Sequence, residues 1–233
     1  MNVPDIIIAV DGFSATGKSS FAKLAAAELS FIYLDSGALY RAVTLFALEN
    51  SFIAEDGSID TDGLKAALPG LDVHFEKTEN GSETHIGSRS VEKLIRGMEV
   101  SSHVSPVSAI PFVRNFVDNL LHEAGKAGRV IMDGRDIGTT VFPDAQVKIF
   151  MTADVDVRTQ RRFDELKAKG ENPDFEEVKK NLLERDYIDS HRETSPLSRA
   201  KDSFEMNNSD MTLHEEIVWL RGLLQGRFGI LDA

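Results

Sequence analysis

Gly12-Phe13-Ser14-Ala15-Thr16-Gly17-Lys18-Ser19 is the stretch whose reading decides the fold. It fits G-x-x-x-x-G-K-[ST], a loop whose successive backbone N–H groups converge on a phosphate. The flanks fit as well. Ile6-Ile7-Ile8-Ala9-Val10-Asp11 is a short apolar, β-branched run, the pattern of a parallel strand buried on both faces. Ser20 to Leu29 is rich in Ala, Lys, Leu and Glu and predicts a helix. Strand, glycine loop and helix in that order predict a nucleoside triphosphate site running from Gly12 to Ser20. The helix N-terminus adds the positive end of its dipole. Lys18 is expected to reach the β- and γ-phosphates, and the Ser19 hydroxyl to ligate Mg2+. An ordinary glycine turn would satisfy the letters alone; the flanking pattern argues against it.

The rest of the composition narrows the class. A chain of 233 residues can bury a sizeable core, and an apolar fraction of 42% argues against disorder. A formal charge of −12 disfavours a nucleic-acid surface, so an anionic ligand must meet a local concentration of arginine. With no cysteine there can be no disulfide, thiolate metal site or cysteine nucleophile. Met1 to Asp5 carry no basic leader, and no early apolar run approaches a membrane span. A cytoplasmic protein, without membrane or nucleic-acid partners, is the expectation.

Further along, Phe31 to Leu34 predicts a second strand, after which Ser36 can cap a helix bearing Leu39, Ala42, Val43 and Phe46. Tyr40 and Arg41 fall early in that helix, near the strand end where ligands sit in open α/β sheets. Glu55 to Ser90 is broken by glycines into short alternating segments and predicts a small antiparallel insert. Pro111 is expected to open a helix running to Ala124. Arg129 to Asp133 and Val147 to Met151 predict buried strands. Helices are expected over Asp154–Lys169 and Asp174–Ser190, joined by Gly170-Glu171-Asn172-Pro173. A weak strand at Phe204–Met206 precedes a helix over Thr212–Gln225, with turn and cap residues from Asn207 to Asp210.

Two constellations carry further chemistry. Asp133, delivered by a buried strand, suits support of Mg2+ directly or through water, although an Asp before Gly134 is also common in plain turns. Arg158, Arg161 and Arg162 are spaced so that one helical face can present three guanidinium groups; Arg185, Asp189 and Arg192 repeat the spacing. A solvated basic face and an Arg–Asp pair are the bland alternatives. Phosphoryl transfer needs cations over the equatorial oxygens, which favours the functional reading. The six histidines show no metal spacing, and no [NT]-K-x-D sequence for reading guanine is present.

Taken together, Gly12–Ser20, Leu34-Asp35-Ser36-Gly37-Ala38-Leu39-Tyr40-Arg41, the run from Asp133-Gly134-Arg135-Asp136 to Pro143-Asp144-Ala145, and Glu184-Arg185-Asp186 resemble bacterial cytidylate kinases along nearly the whole chain. The resemblance implies a P-loop α/β fold: a parallel five-stranded sheet flanked by helices, a monophosphate-binding insert with a small antiparallel sheet, and a helical lid. It places the core in 1–35, 126–153 and 193–233, the monophosphate-binding domain in 36–125 with its β insert at about 55–90, and the lid with its adjoining helix in 154–192. It implies Ser36, Arg41 and Arg135 on the acceptor phosphate, with Tyr40 beside them. Ser105, Arg114, Asp136 and Arg192 match cytosine-reading positions, and Arg185 and Asp189 lie near sugar and phosphate. Lys18, Arg135, Arg158, Arg161, Arg162 and Arg185 form the implied catalytic set. The chain departs from the family loop in carrying Phe13 where Pro is common, and Pro106 directly follows Ser105. The implied protein is a monomer that uses ATP, with Mg2+, to phosphorylate CMP and dCMP. A kinase for another monophosphate or a small alcohol, and a nucleotide-dependent regulatory module, are the rivals; the acceptor set Ser36, Arg41 and Arg135 argues against them, since an alcohol or a protein partner would not need it.

Overall fold

The structure, a computed structural model, describes residues 3–78 and 81–229. Residues 1–2 and 230–233 of the predicted core, and Glu79 and Asn80 of the predicted insert, lie outside the described residues. In chain order the elements are β1 (Ile7–Gly12), α1 (Lys18–Leu29), β2 (Ile32–Asp35), α2 (Ser36–Glu49), α3 (Thr61–Ala67), β3 (Val73–Thr78), β4 (Gly81–Ile86), β5 (Arg89–Ser90), α4 (Met98–Ser108), α5 (Pro111–Gly125), β6 (Val130–Gly134), β7 (Val147–Thr152), α6 (Val155–Ala168), α7 (Phe175–His191), β8 (Phe204–Asn207) and α8 (Leu213–Phe228). They group into two units: residues to Tyr33, Gly128–His191 and from Ser195 onward, and, second, Leu34–Ala127 with Arg192–Thr194.

The first unit is built on a five-stranded parallel sheet in the order β2-β6-β1-β7-β8. β1 is central, in parallel register with β6 (Ile8 beside Ile131) and with β7 (Ile8 beside Val147). Its side chains alternate between two covered faces, which is why its run is apolar throughout instead of alternating. Phe21, Ala25 and Leu29 of α1 and Leu220 and Leu224 of α8 pack with Ile8 and Val10 in one core cluster, and Trp219 rests against that cluster half-buried. At about 25 cal/mol per Å2 of apolar surface, each fully buried Phe or Leu here stabilises the unit by roughly 2–3 kcal/mol. Helices α6 and α7 form a hairpin closed by Leu166, Val178 and Leu182, with Phe163 and Phe175 edge to face at 5.8 Å.

In the second unit α2 is the buried helix, with Leu39, Ala42, Val43 and Ala47 inaccessible. A three-stranded antiparallel sheet, β3-β4-β5, occupies Val73 to Ser90.

Some local expectations are corrected. Asp35, not Ser36, caps α2: its carboxylate accepts from the Ala38 N–H at 3.1 Å, and Ser36 is the first helical residue. Thr212, not the Asn207–Asp210 turn, caps α8, in a reciprocal box with Glu215. The glycine-punctuated insert holds a helix ahead of its sheet, α3, capped by Asp60 on the Gly63 N–H. Helix α4 was not foreseen, and Pro106 lies inside it. Pro106 lacks the N–H that would complete a turn there. The Ser105 carbonyl nevertheless accepts from both the Ala109 N–H and the Ser108 hydroxyl, which carries the helix past the proline.

Candidate active site

The loop between β1 and α1 is shaped by what a side chain would meet. A Cβ on Gly12, at φ 148°, would lie 2.1 Å from the Met151 carbonyl of the neighbouring strand, so only glycine fits. Ala15 takes a left-handed φ of 57°, which costs about 1 kcal/mol for a residue with a Cβ. The loop closes on itself through Lys18, whose Nζ donates to the Phe13 carbonyl at 2.5 Å and to Thr16 Oγ1 at 3.2 Å. Lys18 is buried, and burial, followed by the neighbouring Arg135 charge, pulls its pKa down to about 7 against the attraction of Asp133, Asp186 and Asp11. Phe13, the unusual loop residue, stands edge-on to Phe150 at 5.8 Å and under the Arg158 guanidinium at 5.4 Å.

The sequence-predicted metal pair is together. Ser19 Oγ donates to Asp133 Oδ2 at 2.9 Å, and the Tyr33 hydroxyl donates to Asp133 Oδ1 at 2.7 Å. Hydroxyl and carboxylate are hard oxygen donors of the kind that Mg2+ takes in ones and twos beside phosphate and water. Among the described residues no group of three or more His, Cys, Asp or Glu could hold a metal, so a cation here would rely on its ligand for the remaining oxygens.

The three arginines of α6 do not share one charged face. Arg158 is buried and donates to Asp186 at 2.5 Å, to the Ser14 carbonyl at 3.0 Å and to the Ala153 carbonyl. Arg161 reaches the Thr16 carbonyl at 3.3 Å and both oxygens of Asn208. Arg162 pairs with Glu165 one turn along its own helix at 2.8 Å. Asp189 accepts from Arg135 Nε at 2.8 Å, and Arg135 Nη2 donates to Ser14 Oγ at 3.0 Å. Arg185 Nε has no hydrogen-bond partner among the described residues. Burial and the nearby Arg135 charge draw the Arg185 guanidinium down to about 10, opposed by Asp189. Asp136 is buried, and its carbonyl receives the N–H groups of Thr140 and Val141, starting a π-helical turn over Ile137–Val141.

Two carboxylates and an amide that shape this region were given no site role from sequence. Asp186 accepts from the Ser14 N–H at 2.9 Å as well as from Arg158. Asn208 donates to the Thr16 carbonyl at 2.8 Å and to Glu216 at 2.6 Å. Asp11 accepts from the Ile137 and Gly138 N–H groups at 2.8 and 2.7 Å. Burial pushes Asp11 up to about 7, even against those two bonds. Only weak signals marked them: Asp11 ends an apolar strand, Asp186 follows Arg185, and Asn208 sits in a turn.

The second unit gathers a separate polar set. The Tyr40 hydroxyl donates to Asp118 at 3.2 Å, and the Arg114 guanidinium lies over the Tyr40 ring at 5.2 Å. Arg114 is 1% exposed, donates to the Ser108 carbonyl at 3.3 Å and is 4.0 Å from Asp118. Arg41 donates to Ser101 Oγ at 2.9 Å and to the Ile95 carbonyl at 3.3 Å. Asp35, the cap of α2, takes an ion pair from Arg96 at 2.7 Å. Ser36, Ser105 and Arg192 are buried in this unit.

Chemically, the first unit offers a glycine loop at a helix N-terminus, a buried lysine and several guanidinium groups, which is what a polyphosphate requires. The second offers a nearly inaccessible arginine beside hydroxyls and a carboxylate, a setting for a planar polar group. A family profile described as Cytidylate kinase matches residues 8–220. The Bacteroides fragilis cytidylate kinase is 51% identical over 217 residues, 92% of this chain and 94% of that one. The Bacteroides thetaiotaomicron cytidylate kinase is 50% identical over the same shares. Among solved structures, an uncharacterized protein from Eubacterium ventriosum matches with a TM-score of 0.50 at 11% identity, over 96% of this chain and 100% of that chain, a likeness of fold alone.

Proposed function

The chain belongs to the cytidylate kinase family, and from that premise we propose that it transfers the γ-phosphoryl group of ATP to CMP, and also to dCMP, releasing ADP and the diphosphate. The protein is a kinase, with ATP and CMP as small-molecule substrates. The observation that carries the reading is the closed loop from Gly12 to Ser19, with buried Lys18 at its centre and Ser19 hydrogen-bonded to Asp133.

In this reading the loop N–H groups and Lys18 hold the ATP phosphates, and Gly12 to Ser20 form the ATP site. Ser19 and Asp133 would hold Mg2+, Asp133 through water; the ion would supply positive charge beside the phosphates. The attacking oxygen belongs to the CMP phosphate, which is already ionised at neutral pH, so no strong general base is needed. What the chain supplies is alignment and charge neutralisation by Lys18, Arg135, Arg158, Arg161, Arg162 and Arg185. Arg135, Asp136, Arg185 and Asp189 of the first unit, and Ser36, Tyr40, Arg41, Ser105, Arg114 and Arg192 of the second, are the proposed CMP residues. Residues 154–192 are proposed as the lid with its adjoining helix. Arg114 and Ser105, buried on α5 and α4, suit recognition of cytosine: a guanidinium donates to ring N3 or O2, and a hydroxyl accepts from the exocyclic amine. Among the described residues no helix is long and apolar enough to cross a membrane. The net charge of −12 supports a monomer without nucleic-acid partners, and the absence of cysteine fits a reducing compartment such as the cytoplasm.

The test is coupled ADP release with CMP, dCMP, UMP, AMP and GMP at equal concentration. CMP and dCMP should be the best acceptors, with CMP favoured over UMP by about tenfold or more in kcat/KM, since each unpaired buried polar group costs about 1–3 kcal/mol. Equal use of UMP and CMP would refute cytosine selection, and turnover confined to another acceptor would refute the reading as a whole.

A further inference from the structure

The run Arg135-Asp136-Ile137-Gly138 leaves β6 and turns at once into the π-helical segment Ile137–Val141, where Val141 and Phe142 donate to the carbonyls five residues back. A π turn is rare and mostly a single turn long, and this one has outside restraint. Two buried charged side chains from the sheet supply it. Asp11, at the end of β1 and 4% exposed, receives the consecutive N–H groups of Ile137 and Gly138, one on each carboxylate oxygen. Lys148 on β7, 6% exposed, donates to the Pro143 carbonyl just beyond the turn and forms an ion pair with Asp202 at 2.8 Å. Gly138 is pinched between them. A Cβ there would stand 3.2 Å from the Lys148 stem and 3.3 Å from Asp11 Oδ2.

We infer that Asp11 is a positioning residue for acceptor binding: by holding the Ile137 and Gly138 N–H groups it fixes the turn on which Arg135 and Asp136 depend. The inference rests on the reading of Arg135 and Asp136 as CMP residues. Asp11 touches no substrate in this scheme. Its carboxylate is the anchor of a short chain segment, and the distance from Ile137 back to Arg135 is two residues, too short to absorb a shift at the anchor. The ATP loop meets Asp11 only through its charge on Lys18 and is held by hydrogen bonds of its own, Lys18 on Phe13 and Thr16 and Asn208 on Thr16, so loss of the Asp11 anchor should disturb it far less than the acceptor side.

The experiment uses Asp11→Asn, which keeps the size but offers one acceptor oxygen where the carboxylate offers two, leaving one buried N–H facing an amide donor. The expected result is a rise in KM for CMP of about tenfold or more, with the ATP dissociation constant measured without CMP changed by less than about twofold. Gly138→Ala, which crowds the same turn from the Lys148 side, should give the same split and serves if the first variant does not fold. A role in folding alone would move both substrates together with Tm, and that pattern in either folded variant overturns the inference. So does an unchanged KM for CMP in both variants. A wild type that does not phosphorylate CMP would overturn the functional reading and this inference with it, whereas an active wild type with unchanged variants overturns this inference alone.

Discussion

Lys18 lies folded onto its own loop, with Nζ against the Phe13 carbonyl and Thr16 Oγ1, where burial has taken its charge out of water. Those partners are neutral oxygens. Phosphate oxygens would be stronger ones, because ionised acceptors make hydrogen bonds roughly twice as strong as neutral ones. Lys18→Ala is therefore expected to fold normally and to lower kcat by roughly 10²–10³-fold, the usual cost of one lost electrostatic contact to a developing charge. A folded variant that keeps more than about a tenth of wild-type kcat would remove Lys18 from the reaction. Residues of this kind were legible in the sequence because the loop acts through its own backbone and near neighbours. Asp11, Asp186 and Asn208 were not. Their partners, Gly138, Ser14 and Thr16, lie 127, 172 and 192 positions away, and spacing along a chain does not show which distant N–H or carbonyl a side chain will meet.

Helix α6 separates two arginines that the spacing presents as equivalent. Arg161 bridges the Thr16 carbonyl and Asn208, so it is part of what holds the loop. Arg162 pairs with Glu165, an i,i+3 contact on a half-exposed helix face worth about half a kcal/mol, and it can leave at little cost. Arg162→Ala should lower kcat by roughly 10²-fold with KM for CMP nearly unchanged, the signature of a group that engages only in the transition state. Arg161→Ala should instead raise KM for ATP by about fivefold and lower Tm, since it removes bonds already made. Steady-state kinetics on both variants decide the matter; a pure KM effect for Arg162 would place it among ground-state binders. The same contrast between strong and weak local signals runs through the fold. β1, β6 and β7 were readable as continuous apolar runs, and α5 as an apolar stripe opened by Pro111. α3 is seven residues long and contains Gly63, and α4 carries Pro106, so both contradict helix propensity locally and are held by burial of Leu64, Val100 and Val107.

For the molecule as a whole, the loop region works against stability near neutral pH. Asp11, raised from 3.8 to about 7, keeps its proton in the folded chain where an unfolded aspartate has lost it; its contribution to stability is complete below 3.8 and gone once pH rises through about 7. Lys18, lowered from 10.5 to about 7, contributes fully above 10.5 and loses that contribution as pH falls through about 7. Both contributions are thus weakest around neutrality, where a bound phosphate would restore the lysine's charge. Lys18→Met should accordingly melt above the wild type at about pH 7, and the gap should close toward about pH 10. Thermal melts across that range check it, and a gap independent of pH would mean that Lys18 keeps an ordinary proton affinity. The lone Trp219, resting against the α1 and α8 side of the sheet, has an optical consequence. The second unit contains no indole, so selectively excited fluorescence sees the first unit alone, while far-ultraviolet dichroism is dominated by helices of both. Superimposable transitions by the two signals would show one cooperative melt, and an earlier dichroism change would show the helices α2, α4 and α5 letting go while the indole's surroundings still hold.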